Sequence, residues 1–244
     1  MSFVLKKRFG QNFLIDQNIL NKISQLIILK KCKILEIGPG DGKLTDKIIL
    51  KDPANLTLVE IDKELSAFLS KKYSHMKNIK LINANILDID LDNKYELVIS
   101  NLPYNISSQI LIKLTTLKKI PDTLILMFQK EFAARLLDKK LNSINSLIKC
   151  FYDIKLNFHI SKNCFRPIPK VDSSILTFNK KKGLIKKEEI NEFIIFKRKL
   201  FSHKRKSLRN ILKKYELNEK FNLNLRVESL ELDELIKLFR AINF

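Results

Sequence analysis

The chain has 244 residues, of which 45% are apolar and 30% are charged. Its 46 Lys and Arg residues outnumber its 26 Asp and Glu residues, which gives a net charge of +20. This composition argues against a disordered or fibrous protein, because it supplies enough apolar side chains for a core, and the charge favours an anionic partner such as nucleic acid.

Strands and helices alternate along the first 180 residues. A helix is predicted over residues 17–29, with Asp16 as its N-cap. Short apolar runs predict strands at 33–37, 55–60, 79–83, 95–100, 124–129, 154–160 and 174–179. Helical spacing between them predicts helices near 44–49, 63–73, 107–117 and 130–141. This alternation predicts an α/β fold with a mostly parallel sheet that helices cover on both faces.

The composition changes after Asn179. Residues 180–214 contain 14 Lys or Arg and 3 Glu, a local charge of +11, in a helical pattern. A last helix is predicted over residues 232–242. We therefore predict a large domain over residues 1–180 and a small basic helical domain over residues 181–244.

No secretion signal, membrane span or metal site is predicted. The basic N-terminus lacks an apolar h-region and a cleavage site, and no run of 18 apolar residues occurs. The three cysteines match no disulfide framework, and neither they nor the three histidines show metal-ligand spacing. We expect a cytoplasmic protein, with a monomer as the default state.

Three clusters follow three of the predicted strands, at the carboxyl ends where ligands bind in open α/β sheets. The first is Gly38-x-Gly40-x-Gly42, whose spacing differs from the G-x-G-x-x-G fingerprint of dinucleotide sites. Asp41 within it would repel a pyrophosphate but would tolerate a cationic or zwitterionic ligand. A plain strand-to-helix turn is the alternative interpretation.

The second cluster is Glu60, which ends the next strand 22 residues after Gly38. A carboxylate at this position accepts hydrogen bonds from ribose hydroxyls. An ordinary solvated carboxylate is the alternative. Together the two clusters imply an adenosine compound without phosphates, and S-adenosylmethionine fits this description.

The third cluster, Asn101-Leu102-Pro103-Tyr104, has a chemistry suited to an adenine base. The exocyclic amine of adenine is a weak nucleophile because its lone pair delocalises into the ring. The side-chain oxygen of Asn101 and the carbonyl of Leu102 could accept its hydrogens and favour a tetrahedral nitrogen. Pro103 fixes the backbone, and Tyr104 can stack on an extruded base. The alternative is a turn with a capping Asn.

Five motifs, in order along the chain, resemble those of the KsgA/RsmA-type small-subunit ribosomal RNA adenine dimethyltransferases. They are GQNFL at 10–14, EIGPG at 36–40, EID at 60–62, NLPYN at 101–105 and FRPIPKVDS at 165–173. The resemblance covers nearly the whole chain. It implies a Rossmann-like class I methyltransferase domain that depends on S-adenosylmethionine, followed by a small helical domain. The implied reaction adds two methyls to the 6-amino group of each of two adjacent adenosines. These adenosines would lie in a hairpin loop near the 3′ end of 16S rRNA within a small-subunit particle.

The resemblance also implies residue roles. The cofactor would be bound by Gln11, Asn12, Leu14, Gly38, Gly40, Glu60, Ile61, Asn85 and Asn101. The target base and its amine would be held by Asn101, Leu102, Pro103, Tyr104 and, from a loop opposite Tyr104, Phe165. Asn85 departs from the Asp that the family usually has there, so a somewhat weaker affinity for the cofactor is expected.

The basic C-terminal segment resembles the family's C-terminal domain, whose Lys and Arg would neutralise RNA phosphates. A solvated helical face is the alternative. The first rival function is Erm-type methylation of 23S rRNA, although Pro39 and Leu102 favour the small-subunit enzymes. The second is a non-catalytic RNA- or DNA-binding factor on the same fold. A dinucleotide oxidoreductase is disfavoured by the glycine spacing.

Overall fold

The computed structural model describes residues 10–91, 95–217 and 221–242, so the outer ends of both predicted domains lie outside the described residues. The chain divides into two compact units. The first comprises Met1–Ala133 and Lys155–Lys180, and the second comprises Ala134–Ile154 and Lys181–Phe244. The sequence predicted one boundary near residue 180, whereas the structure also assigns residues 134–154 to the second unit. Backbone hydrogen bonds explain this difference, because the N–H groups of Lys181 and Leu184 donate to the carbonyls of Phe151 and Cys150.

A seven-stranded sheet forms the centre of the fold. The strands are β1 Phe13–Leu14, β2 Lys33–Ile37, β3 Asn55–Glu60, β4 Ile79–Asn83, β5 Leu97–Asn101, β6 Thr123–Gln129, β7 Tyr152–Ile160, β8 Phe165–Arg166 and β9 Ser173–Lys180. The strand order in the sheet is β4-β3-β2-β5-β6-β9-β7. Strands β2 to β6 pair in parallel, and β9 runs antiparallel to β6. Two short strands, β1 and β8, form a separate antiparallel pair.

Helices follow β2, β3 and β5 and lead to the next strand, as the alternating pattern predicted. The helices of the described residues are α1 Gln17–Gln25, α2 Lys43–Ile49, α3 Lys63–Lys72, α4 Ser107–Thr116, α5 Lys130–Leu137, α6 Asn145–Ile148, α7 Ile190–Ser202, α8 Leu208–Ile211 and α9 Leu232–Ala241. Asp16 caps α1 as predicted, because its side chain accepts from the N–H groups of Asn18 and Ile19. In the ranges given above, no helix is long and apolar enough to cross a membrane.

Helix α5 ends at Leu137, four residues before the predicted end at 141. The side-chain amide of Asn145 donates to the carbonyls of Arg135, Asp138 and Lys140. These carbonyls lie in and after the last turn of the helix, where helical partners are lacking. The fully buried Asn145 therefore ends the helix. The apolar spacing of residues 130–141 does not encode this contact, so it predicted a longer helix.

The central strands are buried on both faces. Four of the five residues of β2 and five of the six residues of β3 are buried, and only the first residue of each is exposed. This is expected of a parallel sheet covered by helices on both faces. Because the strands run in parallel, the carboxyl ends of β2, β3, β4 and β5 meet at one edge of the sheet, where the three predicted clusters lie.

Candidate functional site

The glycine turn follows β2 and presents bare backbone to a crevice. Gly38 and Gly40 have positive φ angles of 65° and 60°. A Cβ atom on Gly40 would lie 2.8 Å from the ring of Phe13, so only Gly allows this close approach. A Cβ atom on Gly38 would meet nothing within 4 Å, because this residue faces the crevice that it lines. The turn thus packs against Phe13 at Gly40, whereas at Gly38 its backbone is accessible to a ligand in the crevice.

Glu60 ends β3 beside the glycine turn, as predicted. Its Oε2 accepts the N–H of Gly40 at 3.2 Å, and its Oε1 accepts the N–H of Asp62 at 2.9 Å. The side chain is buried, and burial raises the pKa of its carboxyl although both backbone hydrogen bonds act in the opposite direction. Each carboxylate oxygen keeps acceptor capacity for a hydroxyl in the crevice.

Glu36 is a buried acid in the same crevice, to which the sequence motifs assign no role. It is 1% exposed, and its Oε2 accepts the hydroxyl of Thr45 at 2.6 Å. Burial raises its pKa to about 8, and Asp46 adds to this rise. The sequence contained one indication of a special role for Glu36, because a glutamate within the apolar strand KILEI is unusual.

The segment from Gly10 to Leu14 borders the crevice through side-chain contacts. The Nε2 of Gln11 donates to Oδ2 of Asp62 at 3.0 Å, next to Glu60. The Nδ2 of Asn12 donates to the carbonyl of Gly10 at 3.2 Å. All five residues of this segment line the crevice, which agrees with the predicted positions of Gln11, Asn12 and Leu14.

Asn101 is oriented by a contact that local sequence did not reveal. Its Nδ2 donates to the backbone carbonyl of Asn12 at 2.9 Å. The amide oxygen therefore becomes the atom available to a ligand. In the part of the chain that the structure describes, nothing donates to Oδ1 of Asn101 or to the carbonyl of Leu102. The two predicted acceptors for an amine are thus both available.

Tyr104 lies in the turn between β5 and α4, with its side chain half-buried at the crevice. The N–H of Ile106 donates to the carbonyl of Pro103 at 3.2 Å, and the hydroxyl of Ser107 donates to the carbonyl of Tyr104 at 3.1 Å. The Tyr104 hydroxyl lies 2.6 Å from Oγ of Ser173. Burial raises the pKa of this phenol, so it is protonated at neutral pH.

One crevice brings together twelve of the thirteen residues proposed for the site. All of them are in the first unit, at the carboxyl edge of the sheet. Ile61 is 41% exposed at this edge, a position from which it can pack on a planar ring. The twelve residues are Gln11, Asn12, Leu14, Gly38, Gly40, Glu60, Ile61, Asn85, Asn101, Leu102, Pro103 and Tyr104.

Phe165 is the exception, because the structure does not bring it to the crevice. Its side chain is fully buried in the hydrophobic core of the first unit and is absent from the crevice lining. The antiparallel pairing of β8 with β1 sets Phe165 opposite Leu14 and turns the ring into this core. The expected contact between Phe165 and a target base is therefore not supported by the structure.

Asn85 lines the crevice, but its side chain is engaged in its own turn. Its Oδ1 accepts the N–H of Leu87 at 3.1 Å, and its Nδ2 donates to Oδ2 of Asp88 at 2.9 Å. One lone pair of Oδ1 remains for a ligand amine, as expected for an uncharged acceptor.

The second unit presents exposed cations together with one buried lysine. Lys197 is 3% exposed, donates to the backbone carbonyl of Ser143, and has a pKa lowered by burial to about 8. Six of the unit's exposed cations fall between residues 204 and 214 and form no ion pairs within the described ranges: Lys204, Arg205, Lys206, Arg209, Lys213 and Lys214.

The chain is similar to known proteins over nearly its whole length. A family model described as ribosomal RNA adenine dimethylase matches residues 2–243. The "Ribosomal RNA small subunit methyltransferase A" of Mycoplasma capricolum is 40% identical over 97% of this chain and 97% of its own. The protein of that name from Malacoplasma penetrans is 40% identical over 91% of this chain and 86% of its own.

Two solved structures have the same fold. A dimethyladenosine transferase from Plasmodium falciparum superposes with a TM-score of 0.80 at 24% identity, covering 95% of this chain and 100% of that one. The 23S rRNA methyltransferase ErmE superposes with a TM-score of 0.75 at 22% identity, covering 94% of this chain and 99% of that one. The predicted Rossmann-like α/β methyltransferase fold is therefore confirmed.

Proposed function

The chain belongs to the ribosomal RNA adenine dimethylase family, and we propose that it is an S-adenosylmethionine-dependent methyltransferase acting on small-subunit rRNA. The proposed reaction adds two methyls to the 6-amino group of each of two adjacent adenosines. These adenosines would lie in a hairpin loop near the 3′ end of 16S rRNA. The cytoplasm, where ribosomal particles assemble, is the proposed location.

The observation that carries this proposal is that a buried carboxylate at the end of β3 and two available acceptors at the end of β5 share one crevice. Glu60 and the open backbone at Gly38 line the same crevice as Asn101 and Leu102. A nucleoside cofactor without phosphates fits this part of the crevice, because Glu60 offers acceptors for ribose hydroxyls and Asp41 disfavours a pyrophosphate. When bound, S-adenosylmethionine supplies an electrophilic methyl on its sulfonium.

The residues of the chain act on the amine by hydrogen bonding and orientation. Oδ1 of Asn101 and the carbonyl of Leu102 accept the two amine hydrogens, which draws the nitrogen lone pair away from the ring. Pro103 restricts the backbone that carries these acceptors. The ring of Tyr104 provides a face for the extruded base. The alkylated amine is acidic and releases one proton to solvent for each methyl that it gains, so no general base is required. Alignment and exclusion of water then account for catalysis.

We propose that the second unit contacts RNA. Its exposed cations between residues 204 and 214 suit phosphates, whereas the buried Lys197 does not. They are Lys204, Arg205, Lys206, Arg209, Lys213 and Lys214. Family resemblance supports the proposal that this RNA is bound within a small-subunit particle. In domain terms, residues 1–180 would hold the cofactor and target base, and residues 181–244 would orient the rRNA.

The small-subunit assignment is favoured over the Erm-type alternative. The relatives at 40% identity are named small subunit methyltransferases, whereas the likeness to ErmE, at 22% identity, supports the fold alone. Intact acceptors at Asn101 and Leu102 also argue against a non-catalytic RNA-binding factor.

The test is methyl transfer from radiolabelled S-adenosylmethionine to unmethylated small-subunit particles, with 23S rRNA as the competing substrate. Mass mapping should locate two adjacent dimethylated adenosines in the small-subunit rRNA. Label on 23S rRNA alone would favour the Erm-type reaction. Tight rRNA binding without cofactor binding or methyl transfer would favour the non-catalytic factor.

A further inference from the structure

The Tyr104 side chain is anchored by a buried serine from a distant strand. Its hydroxyl lies 2.6 Å from Oγ of Ser173, the first residue of β9 and 69 positions away in sequence. Ser173 is fully buried and lies opposite Gln129 of β6. Within the described ranges, the Tyr104 hydroxyl makes no other hydrogen bond.

This contact restrains the ring of Tyr104. The tyrosine lies in a turn, where its backbone alone leaves the side-chain torsions free to change. Ser173 lies in a strand that is paired along its length with β6, so its own position is well defined. Breaking the contact would leave a buried hydroxyl without a partner, which is unfavourable. The hydrogen bond therefore fixes the direction of the axis from Cβ to the hydroxyl, and with it the position of the ring at the crevice.

We propose that Ser173 is a positioning residue for the target base, acting through Tyr104. By holding the phenol, it sets the position of the ring on which the adenine stacks and thereby brings the 6-amino group to Oδ1 of Asn101 and the carbonyl of Leu102. This inference rests on the proposed function. The motif FRPIPKVDS then contributes to the site through its last residue and not through Phe165.

Ser174 provides a matched control in the adjacent position. It is also fully buried, and its Oγ lies 2.8 Å from Nδ1 of His159 on β7. It does not line the crevice and does not contact Tyr104. Successive strand residues point to opposite faces, so the two serines place the same buried hydroxyl in different surroundings. Ser174→Ala therefore removes a comparable hydrogen bond without changing any contact of the Tyr104 side chain.

The experiment compares Ser173→Ala, Tyr104→Phe, the double variant and Ser174→Ala. Methyl transfer is measured on unmethylated small-subunit particles, together with the Kd of S-adenosylmethionine and the midpoint of thermal unfolding. We expect Ser173→Ala and Tyr104→Phe each to lower kcat by about 10-fold or more, since small misplacement of a reacting group slows reaction strongly. The Kd of the cofactor should be unchanged, and Ser174→Ala should keep the wild-type kcat.

The double variant separates positioning from a general loss of stability. If the hydroxyls act as a pair, the double variant should be about as slow as either single variant. Equal effects of Ser173→Ala and Ser174→Ala on kcat, full activity of Tyr104→Phe, or multiplied losses in the double variant would each overturn the inference. A wild-type protein that methylates no particle would overturn the proposed function as well, so the two failures are distinguishable.

Discussion

Replacing Asn101 by Ala separates the chemistry of the amine from the binding of the cofactor. The substitution removes Oδ1, which is one of the two proposed acceptors, and also removes the hydrogen bond of 2.9 Å from Nδ2 to the carbonyl of Asn12. Loss of one preorganised contact to a reacting group lowers kcat by about 10²- to 10³-fold. The lost amide–carbonyl bond should reduce the free energy of unfolding by about 1 kcal/mol.

Asn78→Ala is the matched control for this variant. Asn78 is also half-buried, and its Nδ2 donates to the carbonyl of Pro53 at 3.1 Å, but it does not line the crevice. Both variants should lose similar stability in urea denaturation, and only Asn101→Ala should lose turnover. The Kd of S-adenosylmethionine, measured by calorimetry, should be unchanged in Asn78→Ala. It should stay within a few-fold of wild type in Asn101→Ala, because Asn101 is only one of the nine residues proposed to bind the cofactor. Unchanged turnover in Asn101→Ala would refute the amine-holding role.

Three further predictions concern the residues that line the proposed cofactor end of the crevice. Glu60→Gln should weaken S-adenosylmethionine binding about 10-fold in calorimetry, because charge-assisted hydrogen bonds to the ribose are lost, and unchanged binding would contradict the ribose role. Gly40→Ala should lower the thermal midpoint more than Gly38→Ala, since only the Gly40 Cβ would meet a neighbour, at 2.8 Å; equal effects would argue against that packing. Burial raises the pKa of Glu36 to about 8 from 4.5, so the folded protein binds its proton more tightly and stability should fall as pH rises between these values. Glu36→Gln should flatten that slope in urea denaturation between pH 5 and 8, and an identical slope would contradict the assignment.

Local patterns predicted most strands of the fold and the positions of the glycine turn and Glu60 in the candidate site. Residues 33–37, 55–60 and 79–83 were predicted as strands with the observed bounds, because apolar runs bounded by turn residues are a local property. The sequence alone predicted that the glycine turn and Glu60 lie together, because the carboxyl ends of parallel strands meet at one edge of the sheet. Family motifs supplied the roles that spacing alone left open.

Long-range pairing accounts for what the sequence analysis missed. A two-residue strand has no periodicity, so the β1–β8 pair that buries Phe165 left no pattern to detect. Helix α5 ends early because Asn145, from a later segment, binds its last carbonyls. The same segment, residues 134–154, belongs to the second unit through hydrogen bonds to residues after 180.

The sequence by itself determined which chemical groups reach the sheet edge, because strand ends and turn residues are encoded within a few positions. Tertiary structure alone decided how those groups are held. The partners of Asn101 and Tyr104 lie 89 and 69 residues away. Contacts over such distances depend on how strands pair and pack, which neither periodicity nor spacing along the chain records.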